Sequence, residues 1–275
     1  MQANITLGQF LPGNSPLHKL DPRTKILLMI LYIVMIFLVK NTSAICLLVF
    51  LLPTLLLLIM FAVARVPASY LWSSIKPIKF LVVFMFIINL LCTPGTQILW
   101  HWWLITITKE ALLQAIFITL RLVLLIAGTS MLTLTTSPIA LTDGLERLLT
   151  PLKVFRFPAH ELAMMMTIAL RFIPTLMEET ERIQKAQMAR GADFESGNLI
   201  ARAKSMIPIL VPLFVSAFRR ADELAMAMES RCYHGGEGRT RMRELHLHAR
   251  DGIAVAIVVA LTAAIVLIQS LILPA

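Results

Sequence analysis

Residues 44–64 read AICLLVFLLPTLLLLIMFAVA, and this stretch decides the fold class. It carries no charge, and at about 1.5 Å of rise per helical residue it matches the roughly 30 Å hydrocarbon core of a bilayer. Working outward, two further runs are equally long, Ala111 to Leu134 and Ile253 to Leu273. Ile26 to Val39 and Phe80 to Cys92 are shorter. Lys25 and Lys40 can snorkel from the ends of the first. Past Pro94 the third run continues into Ile98-Leu99-Trp100-His101-Trp102-Trp103, an aromatic cluster suited to the membrane interface. The chain reads as an all-α polytopic membrane protein with about five transmembrane helices.

Composition supports that reading. Of 275 residues 58% are hydrophobic and 15% charged, and mean hydropathy is +0.80, more apolar surface than a soluble core of this size can hide. The net charge of +9 is unevenly spread. Residues 135–251 hold 16 Lys/Arg against 14 Asp/Glu, the remainder 9 against 2. This divides the chain into a four-helix membrane part (1–134), a charged helical region (135–251) and a last membrane helix (252–275). Near-balance in the charged region suits protein contact and argues against nucleic acid, which calls for a strongly basic face.

Short-loop charge sets an expected orientation. Lys19, Arg23 and Lys25 precede the first run and Arg65, Lys76 and Lys79 follow the second, whereas Lys40 and Lys109 stand alone in the alternate loops. The N-terminus is then cytoplasmic, and an odd number of spans puts the C-terminus outside, as for a multi-pass protein of the cell membrane. Met1 to Lys25 has Pro, Gly and Asn before any apolar run and does not read as a cleavable signal peptide. Cys46, Cys92 and Cys232 lie too far apart to suggest disulfides or zinc.

Within 135–251, Leu162, Met165, Met166, Ala169, Leu170 and Ile173 recur at helical steps, predicting an amphipathic helix that Pro174 interrupts with a kink. This stripe would face lipid or a partner. Met206 to Phe218, with Pro208 and Pro212, is too short to cross alone and is expected to lie along the membrane or against other spans. A competing arrangement has 162–173 and 206–218 cross as a pair. Gly235 to Gly238, followed by Arg239, Arg241 and Arg243, reads as a loop whose arginines meet anionic headgroups.

Two triplets close similar stretches in this region: Ala189-Arg190-Gly191 and Ser230-Arg231-Cys232. Seven and four positions before each arginine stand an aliphatic residue and an alanine, Ile183 and Ala186 in one, Leu224 and Ala227 in the other. Nine positions ahead stands an acid, Glu181 or Asp222. One helical part is used twice. A single basic helix end is ordinary macrodipole chemistry, and the repetition is what calls for more.

Catalytic patterns are missing from the sequence. The Gly-rich run 235–238 lacks a following Lys-Ser/Thr pair, His160-Glu161 lacks the second histidine of a zinc-protease helix, and His246 and His248 lack a ligand set. No paired carboxylates enter an apolar run. Arg121 alone sits deep in one, either as a structural contact or as part of a substrate pathway.

Gly8 through Lys25, including Leu11-Pro12-Gly13-Asn14-Ser15-Pro16-Leu17-His18-Lys19-Leu20-Asp21-Pro22-Arg23-Thr24-Lys25, resembles the opening of the transmembrane T component of energy-coupling factor transporters. Arg171-Phe172-Ile173-Pro174 through Phe194, and Phe218-Arg219-Arg220 through Tyr233, resemble the same family. The resemblance implies a non-catalytic membrane scaffold. It would join two ABC-type ATPase subunits (EcfA and EcfA′), which bind the ATP and Mg, to a substrate-binding S component that captures a vitamin or other micronutrient. No cofactor would be bound by this chain itself. By the same resemblance Ala189, Arg190, Gly191, Ser230, Arg231 and Cys232 end coupling helices that dock on the ATPases, the second triplet departing from the common Ala-Arg-Gly form. The Met-rich patch of Met164 to Met166, Met226 and Met228 would suit differing partners or ordinary packing. The alternative from another class is a self-sufficient secondary carrier or channel.

Overall fold

The computed structural model describes residues 10–40, 44–95, 97–102, 105–155, 158–194, 198–235 and 245–272. They form two compact units, 1–145 with 245–275, and 146–244. In the first lie α1 (Pro22–Leu38), α2 (Ala44–Val49), α3 (Leu51–Ala64), α4 (Ala68–Ile75), α5 (Lys79–Cys92), a hairpin of β1 (Ile98–Trp102) and β2 (Ile105–Thr108), α6 (Lys109–Thr135), most of α7 (Pro138–Leu149), and the last helix of the chain. The second unit holds α8 (Ala159–Ala189), α9 (Leu199–Ser205) and α10 (Ile207–Glu229); α11 (Ala249–Ile272) is that last helix of the first unit.

Among the described residues, four helical stretches are long and apolar enough to cross a membrane: Leu47–Ala64, Trp72–Cys92, Lys109–Thr135 and Ala249–Leu271. The chain is an all-α polytopic membrane protein. Helix α1 has 17 residues, at the lower end of what spans a bilayer. Neither α8 nor α10 is among the four, because each is polar over half its length.

Two expectations about the third span need correction. It extends from Phe80 toward the N-terminus, through a 3-10 turn at Lys76–Ile78 into α4. The segment after Pro94 pairs as an antiparallel hairpin, Trp100 opposite Ile107 and Trp102 opposite Ile105, since β-branched and aromatic residues alternate there across a short turn. In the second span, Pro53 has no N–H to offer Val49, and α2 and α3 meet at a bend where the Phe50 N–H bonds Leu47 O at 3.1 Å.

Helix α1 is the axis of the first unit, pinned at both ends by α6 and α11. At its start, Asp21 caps the Arg23 N–H at 2.9 Å with Pro22 in the first turn. Asp251 of α11 then accepts the Asp21 N–H and the Thr24 hydroxyl through Oδ1, both at 2.9 Å, and the His248 N–H through Oδ2 at 2.8 Å. Lys25 is buried. It does not snorkel: its ammonium donates to Thr135 O at the end of α6 (2.9 Å) and to His18 O (3.1 Å), two carbonyls that burial would otherwise leave costly.

At the far end, Arg121 of α6 donates to Val39 O at 2.7 Å and stands over the Phe37 ring. The Gln269 amide of α11 bridges Leu38 O and Lys40 N at 2.9 and 3.0 Å. Arg121 is thus spent on the orphan carbonyls of a helix C-terminus. Between the pins, Tyr32, Met35 and Ile36 pack against Phe117, Leu124, Met131 and Ile265. Gly128 allows the contact: a Cβ there would overlap the Tyr32 ring.

The Leu11 to His18 segment folds around one imidazole. Nε2 of His18 bonds Leu11 O at 3.0 Å and Nδ1 meets the Ser15 hydroxyl at 2.7 Å. The carbonyl can only accept, so Nε2 carries the proton and Nδ1 receives the serine's. A side chain on Gly13 would come within 2.7 Å of that ring.

Candidate functional site

Pro174 does not end α8. The helix runs through it for 31 residues, from Ala159 to Ala189, so the amphipathic stripe and the first triplet share one rod. The missing Pro174 N–H removes one bond of the ladder without stopping the helix, whose second half packs against α10. Met206 to Phe218 is likewise the first half of a 23-residue helix. Pro208 fits there because it lies in the first turn, and the helix runs on through Pro212.

Each triplet is a helix end of one specific kind. In the first, the Arg190 N–H and the Ala192 N–H both reach Gln187 O, and the Gly191 N–H reaches Met188 O, each at 3.0 Å. In the second, the Arg231 and Tyr233 N–H groups reach Met228 O at 3.1 Å, and the Cys232 N–H reaches Glu229 O at 2.9 Å. The bonds coincide position for position. Both are Schellman caps, in which the third triplet residue takes the left-handed conformation that turns the chain off the helix. Gly191 has φ +88° and Cys232 has φ +54°. The glycine takes this conformation without strain at the first site, and a cysteine takes a left-handed one at a cost at the second.

The caps leave both arginines on show. Ala189, Arg190, Gly191, Ser230, Arg231 and Cys232 are all exposed, and among the described residues neither guanidinium has a hydrogen-bond or ion-pair partner. Upstream, Ile183 and Leu224 are half-buried whereas Ala186 and Ala227 are exposed. The sequence repeat is thus a structural repeat.

Helices α8 and α10 pack against each other in antiparallel directions. Gln187, near the end of α8, donates to Pro208 O at the start of α10, and farther along Arg220 pairs with Glu179 at 3.7 Å. The two copies of the repeat are offset by 41 positions, and Glu179 and Arg220 are themselves 41 apart. The ion pair therefore sits at the centre of an internal pseudo-two-fold. Each arginine lies 11 residues beyond its own member of that pair. At 1.5 Å per residue the two caps stand about 33 Å apart along the helix axes, facing opposite ways.

The same pairing sets apolar halves beside polar ones. On α8, Met165, Met166, Ala169 and Ile173 are exposed and Leu162 and Leu170 half-buried, so the stripe is an open face. On α10 the open apolar face is Leu210, Val211, Phe214, Val215 and Phe218, level with the charged half of α8. Met164 and Met228 are half-buried and Met226 is exposed, which divides the methionine patch between packing and surface. His160 is held by Glu146 at 3.0 Å. Arg239, Arg241 and Arg243 lie outside the described residues.

Sequence reasoning missed three things. The antiparallel sense of the caps has no local signature. Gly191 carried a readable one, a glycine just past a helix end. Asp251 stands in the first turn of the last span, where its use by a distant helix could not be read.

Known proteins are similar over nearly all of this chain. The family described as Cobalt transport protein (CbiQ) matches residues 13–242. Proteins named energy-coupling factor transporter transmembrane protein EcfT are 54% identical over 261 residues in Acidaminococcus fermentans, covering 95% of each chain. The Clostridium kluyveri protein of that name is 55% identical over 255 residues, covering 92% of this chain and 93% of its own, and the Bacillus subtilis one is 47% identical over 263, covering 96% and 97%. The chain belongs to the CbiQ family, where it stands with the transmembrane proteins of energy-coupling factor transporters.

Proposed function

We propose that this chain is the membrane scaffold through which two ABC-type ATPases drive uptake of a vitamin or other micronutrient held by a separate S component. The observation that carries the reading is the duplicated cap: two identical helix ends, each presenting an unpaired arginine, about 33 Å apart on one rigid helix pair. Two partners of the same kind are the natural readers of one device displayed twice. A guanidinium stays ionised and grips carboxylates or helix-end carbonyls through a planar fork, so it holds direction under load better than lysine.

ATP and Mg belong to the partner subunits. Closing and opening of the ATPases would draw on Arg190 and Arg231 and rock the helix pair, with its open apolar faces turned to lipid and to the S component. The N-terminus is cytoplasmic and the C-terminus extracellular in this scheme, as the loop lysines and arginines favour. A self-sufficient carrier has less to support it, because Arg121, the ionisable group it would need, is engaged with Val39 O.

The test is the pair Arg190→Glu and Arg231→Glu made together. Insertion should persist and co-purification of the ATPases should be lost; undiminished co-purification would overturn the reading, as would ATP-independent transport by the chain alone in liposomes.

A further inference from the structure

An apolar groove of ≈ 580 Å³ opens on the flank of the first unit. Its floor is Leu28, Met29 and Tyr32 of α1 with Met131 and Leu132 of α6, and its walls are α3 and α11. Along α11 it runs from Arg250 to Leu261, along α3 from Val63 back to Leu52. Each wall is 11 residues long, or about 16 Å. That is half the roughly 30 Å hydrocarbon core, the depth of one leaflet.

One end of the groove is charged and the rest is not. Lys25 and Arg250 line it there, beside Thr135 and Pro16. The acids near that end are engaged: Asp251 accepts three hydrogen bonds, and Asp21 pairs with Arg23. Lys25 is buried against two carbonyls, with both acids close by. Arg250 is exposed and, among the described residues, has no partner. One cation at headgroup level therefore tops a trough as deep as one leaflet. An acyl chain would fill such a trough, since its lining below that end is apolar.

We propose that the groove is a binding site for an anionic phospholipid, its phosphate on Arg250 and one acyl chain lying between α3 and α11. The lipid would wedge the two helices at the end where α1 is pinned by Asp251 and Lys25. It does not depend on the ATPase-coupling role, and its test reads lipid rather than partner proteins.

The full chain is reconstituted in nanodiscs of phosphatidylethanolamine with either phosphatidylglycerol or phosphatidylcholine, then released into mild detergent for native mass spectrometry. Phosphatidylglycerol should be retained at one per chain and phosphatidylcholine should not. Arg250→Gln, at an exposed position, should weaken retention about fivefold, the worth of one basic residue near an anionic surface. Ala254→Trp, which fills the groove below an intact arginine, should abolish it. Equal retention of both lipids, or retention unchanged in both variants, overturns the proposal. So does cross-linking of a cysteine at position 254 to a partner's transmembrane segment within the assembled transporter.

Discussion

On the proposed coupling role, Gly191 offers the sharpest way to separate the shape of the first helix end from its charge. Its φ of +88° is left-handed, and nothing stands within 4 Å of where a Cβ would lie. An alanine there meets no neighbour, and any effect is the backbone's own. Left-handed conformation costs an L-residue about 1–2 kcal/mol, and alanine recovers about 0.4–1 kcal/mol by restricting the unfolded chain. The net is about 1 kcal/mol against the cap, close to a fivefold loss where the bound state demands it. Valine, β-branched and rarer still at positive φ, should approach about 2 kcal/mol, or thirtyfold. Asparagine tolerates the conformation and should bind nearly as glycine does. Arg190 is untouched throughout. The assay is titration of the purified chain, in nanodiscs, with the proposed ATPase partners, and the expected order of dissociation constants is valine above alanine above asparagine and glycine. Cys232→Gly should act in the opposite sense, relieving a strained residue at φ +54° and tightening the second cap. If alanine and valine bind as glycine does while Arg190→Glu abolishes binding, the charge alone suffices and the cap argument fails.

Three further outcomes follow from the geometry. Asp251→Ala strands the Asp21 N–H and the His248 N–H, while the Thr24 hydroxyl keeps Asp21 O at 2.7 Å, and should cost about 2–4 kcal/mol, seen as a lower melting temperature in detergent; a shift within error would show the pin to be idle. Gly128→Val drives a side chain into the Tyr32 ring and should lose about 1–3 kcal/mol by overpacking, whereas Gly252→Ala, in a helix with nothing within 4 Å, should gain up to about 1 kcal/mol; equal losses would contradict the packing described. Spin labels at positions 190 and 231 in a background free of native cysteines should report about 33 Å, broadened by the linkers; a distance near half that would mean the caps share one side.

Membrane architecture was legible because hydrocarbon imposes it. A run such as 44–64 has one stable option in lipid, since only a helix satisfies its backbone internally. The hairpin at Ile98–Thr108 was not legible as such. There the apolar signal of an interface and of a strand coincide, and length alone separates them. Lys25 shows the limit of local reasoning from the other side. Its place at the end of an apolar run suggested a solvated amine, yet it is buried because α6 ends at Thr135 and leaves a carbonyl for it. Pro174 was read as a kink, and how far the helix runs on beyond it, to Ala189, depends on the packing of α10 against the half that follows.

The coupling ends divide the same way. The repeat of aliphatic, alanine and arginine was visible because it lies within one helix turn pattern, and the cap it encodes is local too. What turns two caps into one device is the pairing of α8 with α10, which depends on contacts 21 and 41 residues apart in sequence. Centring the pseudo-two-fold on Glu179 and Arg220 has a mechanical consequence. Pulls related by that two-fold have opposed components in the plane of the rods, so on the proposed role two equal partners form a couple that rotates the rod pair rather than translating it. The half-buried ion pair, at 3.7 Å, itself supplies little stability, of the order of 1 kcal/mol or less, and its place at the pivot matters through position. Unequal forces, with one arginine removed, would shift the pair instead, so Arg190→Ala alone and Arg231→Ala alone should each impair transport far more than they impair binding of the ATPase still held. Single variants that lose transport only in proportion to ATPase binding would show that no such balance operates.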